Sequence, residues 1–495
     1  MANIVIIGGG VAGLSAGIYS LLNGHSVSIF EKHRILGGNL TGWRRKGHDI
    51  DGCVHWLTGT NPNSDFYKMW NTVGVLDENT EVYYGEQLFS YVLGDKKISL
   101  YCDMEKTRAE MLAVAPEDEK EINRFMRAVE TMARINKVGG ENCDRKMMPW
   151  EWITKAPDLL FYHTLSIKQL TKRFKNEVIR GFLSALLSEK FSSVALIYVY
   201  STITGKNGGV PRGGSFEIER RMEERFRSLG GQVFTGKEAV KINNKNGYAT
   251  TVEFSDGSIA SGDYMIVTTE PSAAFGKFID AEMPYSVKKI YDAGDGYRFS
   301  SSNAAFSCES DDIPFRDEII VDVPQKYRYL LRADYLMIRE YSNENFAPEG
   351  KYVVQTLAIC DEAACVDFIN YRDNKAKYNE MKKDMAIALE EIITSVLPSL
   401  KGKLTCLDVW TPATYKRYTN AETGTFQSFI LAPKSIPIPA DNRVKGYKNL
   451  VLAGQWLQSP GGLPIALDTG RVAAMTVAKL AKRGLPTYLP KKAMV

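Results

Sequence analysis

Histidine is scarce in this chain of 495 residues, which has only five, and its seven cysteines are odd in number and scattered. No two of Cys53, Cys102, Cys143, Cys308, Cys360, Cys365 and Cys406 have C-x-x-C spacing, and no histidine stands near them at ligand spacing. A zinc site or redox dithiol is therefore not expected; reduced thiols in a cytoplasmic protein are. A net charge of only +4, without any long Lys/Arg run, argues against nucleic acid as a partner. No stretch reaches the roughly 20 apolar residues that a membrane-spanning helix needs. The apolar run near the N-terminus is short and leads straight into glycines, unlike a signal peptide. Peripheral membrane contact stays open. Internal repeats and low-complexity tracts are also lacking. Hydrophobic content of 44% with 24% charged residues fits a globular enzyme, and the length implies two or more domains.

What is present begins with NIVIIGGGVAGLSAGIYSLLNGHSVSIFEK, residues 3–32. Asn3 to Ile7 is an unbroken apolar run, as in a parallel strand buried on both faces. Gly8, Gly10 and Gly13 follow in a G-x-G-x-x-G turn: one glycine for the turn, one for backbone approach to a pyrophosphate, one for close helix packing. Leu14, Ile18, Leu21 and Leu22 give the next helix an apolar face. Its N-terminus, with Val11 and Ala12, would turn unpaired N–H groups and a partial positive charge toward phosphates. A second strand, Val27 to Phe30, ends in Glu31 and Lys32, where an acid can bind a ribose hydroxyl pair. This unit predicts a nucleotide cofactor. No second G-x-G-x-x-G occurs, so no separate nicotinamide domain is expected, and the electron donor or acceptor stays open.

Gly37 and Gly38 follow the acid, and together the two glycine groups resemble the fingerprint of the FAD family that includes amine oxidases and phytoene desaturases. The resemblance implies FAD, with the second pair near its phosphates and ribityl chain. Asn39 stands where an Arg commonly follows. Next, Asp49, Asp51, Gly52 and His55 form D-x-D-G-x-x-H, similar to an Asp-Gly segment of retinol-saturase-like and carotene-isomerase-like proteins. His55 is a candidate proton donor or modifier of the flavin's surroundings, or else fills a polar niche. Asp51 is a lesser catalytic candidate.

Residues 65–205 read as a mostly helical insertion. Acidic Glu117 to Glu121 open one helix, and Trp150, Trp152, Leu159, Leu160, Phe161 and Tyr162 form an aromatic patch. In SIKQLTKRFKNEVIRGFLSALL, apolar Ile167, Leu170, Phe174, Val178 and Leu183 alternate with Lys and Arg. Such a basic amphipathic helix either lies on an anionic membrane or packs its apolar side inward. From Gly208, a G-x-P-x-G-G turn, a helix and two strands resemble the phytoene desaturase segment that returns to the FAD domain, which places the Val240 backbone near adenine. Tyr264 to Thr269 is a third parallel strand, with Thr268 at its end.

Further on, Glu318 to Asp322, Leu336 to Glu340 and Tyr352 to Ile359 read as strands of a mixed or antiparallel sheet. Tyr378 to Val396 is a helix stopped by Pro398. TPATYKRYT, residues 411–419, resembles a motif of the phytoene desaturase, carotene isomerase and retinol saturase group that amine oxidases lack. Arg417 and Tyr418 either line the substrate side or brace the sheet. Leu450 to Ala453 is a last buried strand, followed by Gly454, by Gln455 where the family often has an acid on the ribityl chain, and by Gly462, Leu463, Pro464 and Ile465 opening a helix. By the resemblance, that helix N-terminus faces the flavin's pyrimidine edge.

The fold expected is α/β: a discontinuous Rossmann-like FAD-binding domain of residues 1–65, 205–275 and 440–485, with a mixed α+β substrate domain of 66–204 and 276–439. The function the resemblance implies is FAD-dependent desaturation, saturation or redox-neutral isomerisation at carbon–carbon bonds of an apolar chain, such as a carotenoid, retinoid, isoprenoid or fatty acyl group. Two alternatives stand beside it: an amine-oxidase-like enzyme acting on C–N bonds, which would release hydrogen peroxide on amines, and a flavin-binding protein without turnover. Metal is not expected, and the oligomeric state is not legible.

Overall fold

The computed structural model describes residues 1–138, 149–293, 298–309, 313, 315 and 318–482. Cys143, the side chains of Trp150 and Trp152, and the last residues of the 440–485 stretch lie outside the described residues. Strand β1 (Asn3–Ile7) lies at the centre of a five-stranded parallel sheet, which is why Ile4 to Ile7 are buried. Its neighbours are β2 (Ser26–Glu31) and Tyr264–Val267; Gln232–Thr235 and Leu450–Leu452 form the edges. Parallel neighbours require a crossover, and helix α1 (Val11–Leu22) supplies the first. The apolar face of α1 packs with helices Gly214–Ser228 and Leu463–Leu480 on one side of the sheet. A three-stranded antiparallel sheet, Ala239–Lys245, Tyr248–Phe254 and Ile259–Ser261, covers the other. The result is a Rossmann-like layer drawn from three distant parts of the chain.

The rest is organised on a seven-stranded mixed sheet in the order Leu404–Trp410, Phe299–Cys308, Tyr352–Asp361, Tyr335–Glu340, Glu318–Asp322, Gln87–Leu93 and Lys96–Tyr101. All pairs are antiparallel except Glu318–Asp322 with Gln87–Leu93. Helices between Met104 and Thr204 build a core on one face, and helix Lys375–Val396 anchors a core on the other.

The 65–205 insertion is mostly helical, as expected, and adds a hairpin, QLFSYVL with KKISLY, that completes the mixed sheet; one expectation within it needs correction. The long basic helix is two short ones, Ile167–Thr171 and Glu177–Ser184. A Ser166–Gln169 capping box starts the first, and a second cap interrupts the run: Asn176 Oδ1 accepts from Val178 and Ile179 N–H. Asp118 accepts from the backbone N–H of Lys175 and Asn176 between them. Ile167, Leu170, Phe174, Val178 and Leu183 are buried in the core, so this apolar face is already covered by the protein itself. No helix among the described residues is long and apolar enough to cross a membrane.

Candidate active site

A cavity of about 730 Å³ opens at the C-terminal edge of the parallel sheet and continues to the mixed sheet. Ligands of α/β sheets bind at that edge, and the volume lies in the usual range for ligand sites.

At the sheet edge the lining is mostly backbone. Gly8 has φ +104°, and a Cβ there would stand 2.3 Å from Thr268 Oγ1, which donates to the carbonyls of Ile7 and Gly8. A Cβ on Gly13 would lie 2.0 Å from Gly8 O; Gly13 does not line the cavity but lets α1 close on the turn. Gly10 caps α1 and pairs with Gly37, and a Cβ on Gly38 would be 3.2 Å from Gly10 Cα. The two glycine groups thus lie backbone to backbone, with Val11 and Ala12 of the helix N-terminus beside them in the lining.

Glu31 is fixed at the end of β2 by the N–H groups of Gly9 (2.8 Å) and His33 (2.9 Å), one on each carboxylate oxygen, so its remaining lone pairs serve the cavity. Lys32 donates to Asn420 Oδ1, and burial pulls its pKa below the ordinary ammonium value. Asn39 donates to Phe426 O at 3.1 Å, while its Oδ1 is buried without a partner. At the far rim Gly454, Gly462, Leu463 and Ile465 line the cavity at the N-terminus of the last helix.

Several candidates sit differently from expectation. Gln455 is committed to protein groups: Nε2 donates to Phe426 O, and Oε1 accepts from Gly462 N–H at 3.0 Å. It ties the loop to the helix and lines the cavity there. Val240, whose backbone was the expected contact, points its side chain to solvent outside the lining at an irregularity in the strand, and Ala239 beside it lines the cavity. Arg417 is exposed, with its guanidinium over the Tyr418 ring, and only Tyr418 lines the cavity. On helix Pro412–Thr419, successive side chains diverge by about 100°.

Asp51 is not free for proton chemistry. Its carboxylate accepts from the N–H groups of Cys53, Val54 and Ser215 and from Ser215 Oγ, while Gln355 brackets its backbone from both sides. It clamps the loop before His55 to the start of helix Gly214–Ser228. His55 itself faces the cavity, and its Nδ1 lies 2.6 Å from Oε2 of buried Glu318. Glu318 escaped sequence reasoning. The one available signal was a carboxylate opening an otherwise apolar strand.

Toward the mixed sheet the lining becomes apolar: Leu186, Phe191, Val194, Phe299, Leu357 and Ile359 are typical. Of the predicted aromatic patch, Tyr162 is buried against Phe125 and Phe161 lies under Arg124; neither reaches the cavity. Among the described residues, no group of three or more His, Cys, Asp or Glu could hold a metal.

The site suits FAD: a glycine cradle at the end of β1, a helix N-terminus for the phosphates, a fixed carboxylate for ribose, and, in the lining residue Asn39 beside the second glycine pair, a buried oxygen without a partner. Fold and site define an FAD-dependent oxidoreductase. The comparisons place it further. The chain matches the family described as flavin containing amine oxidoreductase over residues 11–478, and it belongs to that family. It is 20% identical over 505 residues to a 4,4'-diaponeurosporene oxygenase of Staphylococcus haemolyticus, covering 95% of this chain and 96% of that one. An oxidoreductase from Methanosarcina mazei shares the fold with a TM-score of 0.59 at 16% identity, covering 96% and 100% of the two chains. Cyclohexylamine oxidase from Brevibacterium oxydans does so with a TM-score of 0.53 at 13% identity, covering 97% and 100%.

Proposed function

We propose that this enzyme acts on carbon–carbon single or double bonds of an apolar, chain-like substrate, by desaturation, saturation or redox-neutral isomerisation. One observation carries the reading. Among the described residues, the helices and the mixed sheet contribute no carboxylate to the cavity lining, and most of what they contribute is apolar or aromatic. The carboxylates of the lining, Glu31, Asp51, Glu238 and Glu270, come from other elements; a cationic amine among these apolar side chains would lose hydration at a cost of several kcal/mol, whereas a hydrocarbon chain gains by leaving water. The name of the Staphylococcus relatives, a diaponeurosporene oxygenase, supports a carotenoid-like substrate.

Bound FAD supplies the hydride chemistry. The chain's own part is to hold, orient and dry the substrate. Gly8, Gly10, Gly37, Gly38 and Glu31 hold the nucleotide end, and the last helix N-terminus, at Gly462, favours negative charge beside it. Phe191, Phe299 and Leu357 exclude water from the bond being changed.

Substrate entry lies at the loop Ile436–Pro439. Pro437 both lines the cavity and is exposed, flanked by Ile436 and Ile438, which are 76% and 66% exposed, with Lys434 beside them. Exposed isoleucines at the mouth of an apolar cavity suit contact with a membrane surface that stores such substrates.

The test is anaerobic mixing of purified FAD-loaded protein with polyene, isoprenoid and unsaturated acyl substrates, following flavin absorbance and product. Change in both supports the reading. No change across that panel, with hydrogen peroxide released on amines, overturns it.

A further inference from the structure

We propose that His55 and Glu318 form a proton-transfer pair at this cavity, in which Nε2 of His55 exchanges the substrate's proton and Glu318 positions and charges the ring. The pair deepens the function proposed above and rests on it for the substrate class. Of the five histidines, His55 alone lines the cavity; His48, by contrast, is buried on Ser307 and Lys46 O. The 2.6 Å contact to Glu318 Oε2 assigns the proton to Nδ1, because a carboxylate only accepts. That leaves Nε2 as the acceptor, and no described residue hydrogen-bonds it.

The surroundings hold the ring still. Asp51 fixes the N–H groups of Cys53 and Val54, and Arg339 donates to Val54 O at 3.0 Å. Arg339 also stands opposite Glu318 in the strand register, so strand pairing sets the carboxylate and the Val54 carbonyl's donor side by side under the ring. A small second cavity of about 30 Å³, bounded by His55, Glu318, Arg339 and Gln87, lies on the other side of the pair, with room for one water to carry the proton onward. A carboxylate-supported imidazole facing a reaction space is the arrangement that general acid–base catalysis uses.

The balance is simple. When two adjacent C–H bonds break and a C=C bond forms, a hydride with its electron pair passes to FAD. The proton from the other carbon passes to His55 Nε2, and the electron pair it leaves becomes the π bond. Saturation reverses each transfer. Either direction needs one group that holds a proton beside an otherwise apolar chain. Glu318 never meets the substrate; it acts through His55.

The experiment combines three variants with two readouts. In flavin-free protein labelled with ¹⁵N-histidine, a downfield Nδ1–H resonance is expected for His55, assigned by its loss in His55→Ala. It should vanish in Glu318→Gln and persist in Glu318→Asp. In FAD-loaded protein, His55→Ala should keep its flavin spectrum and lose on the order of 100-fold in turnover. Glu318→Gln should lose about 10-fold and alter the pH dependence of turnover, and Glu318→Asp should recover part of both. Wild-type turnover in His55→Ala, or no such resonance in the wild type, overturns the pair. A resonance that behaves as stated, with no substrate of the panel converted, overturns the substrate class and leaves the pair's geometry standing.

Discussion

The two ends of the cavity are built on different principles. At the sheet edge the surface is backbone: glycines that cannot carry a Cβ, a helix N-terminus, and one carboxylate held by two N–H groups. At the mixed sheet the surface is side chain, with Leu186 and Phe191, Phe299 and Leu357 arriving from elements far apart in the sequence. Backbone requirements force particular residue types at fixed short spacings, so the first end is written locally. Apolar lining can be met by many residues from many places, so the second end is set by topology. One end fixes the cofactor and the other admits the substrate.

The sharpest break in this contrast is expected from Gly13→Val. Its Cβ would meet Gly8 O at 2.0 Å, a backbone atom unable to give way without opening the turn. Purified variant protein should carry almost no FAD and unfold well below the wild type. Overpacking at a backbone contact costs more than about 3 kcal/mol. Flavin content and a thermal melt check it, and normal FAD loading would show that the turn tolerates what its geometry forbids.

Next in size is Asp51→Ala. It would leave the N–H groups of Cys53 and Ser215 and the Ser215 hydroxyl without their acceptor, while Val54 N–H keeps Ser215 Oγ at 3.0 Å, a loss of roughly 3 kcal/mol. Gly214 follows from the same clamp, since a Cβ there would stand 2.2 Å from Asp51 Oδ2. The melting temperature should fall, while enzyme that remains folded at low temperature retains turnover, which separates Asp51 from His55. Turnover lost at unchanged stability would return Asp51 to the catalytic candidates.

Ile436→Ser with Ile438→Ser probes the other end. Removing two exposed isoleucines should leave FAD loading and stability unchanged and weaken binding to anionic phospholipid vesicles about 10-fold, read by co-flotation. Equal flotation of variant and wild type would remove the loop from the entry route.

How far the sequence is legible follows the same division. The β1–α1–β2 unit, the glycine pair at Gly37 and the last strand and helix are where their motifs put them, because each motif encodes a local backbone need. Arg417 stands one residue from Tyr418, which lines the cavity, since a motif fixes an element but not which of its faces meets the site. The basic segment after Ser166 lost its continuous helix to the Asn176 cap and to Asp118, a competition that apolar periodicity does not register. Glu318 lies 263 residues from His55, and only the pairing of distant strands brings the two together.

Glu219 gives the smallest test and sharpens the contrast from inside the backbone-built end. Its Cγ would lie 2.9 Å from a Cβ on Gly37, and its Oε1 is buried without a partner. Burial first, then the neighbouring Glu223, push its carboxyl up to about 7, with Arg227 opposing. A folded pKa above the ordinary carboxylate value means that folding favours the protonated form. The stabilisation is complete below pH about 4, declines as pH rises, and is lost above about 7. Glu219→Gln mimics the protonated acid at every pH. It should match the wild type at pH 4 and exceed it at pH 8 by on the order of 1 kcal/mol, after allowance for solvent screening of a half-buried group. Denaturant melts across that range decide it. Parallel stability curves would mean that the carboxylate is solvated in its charged form, and that the turn at Gly37 depends on glycine alone.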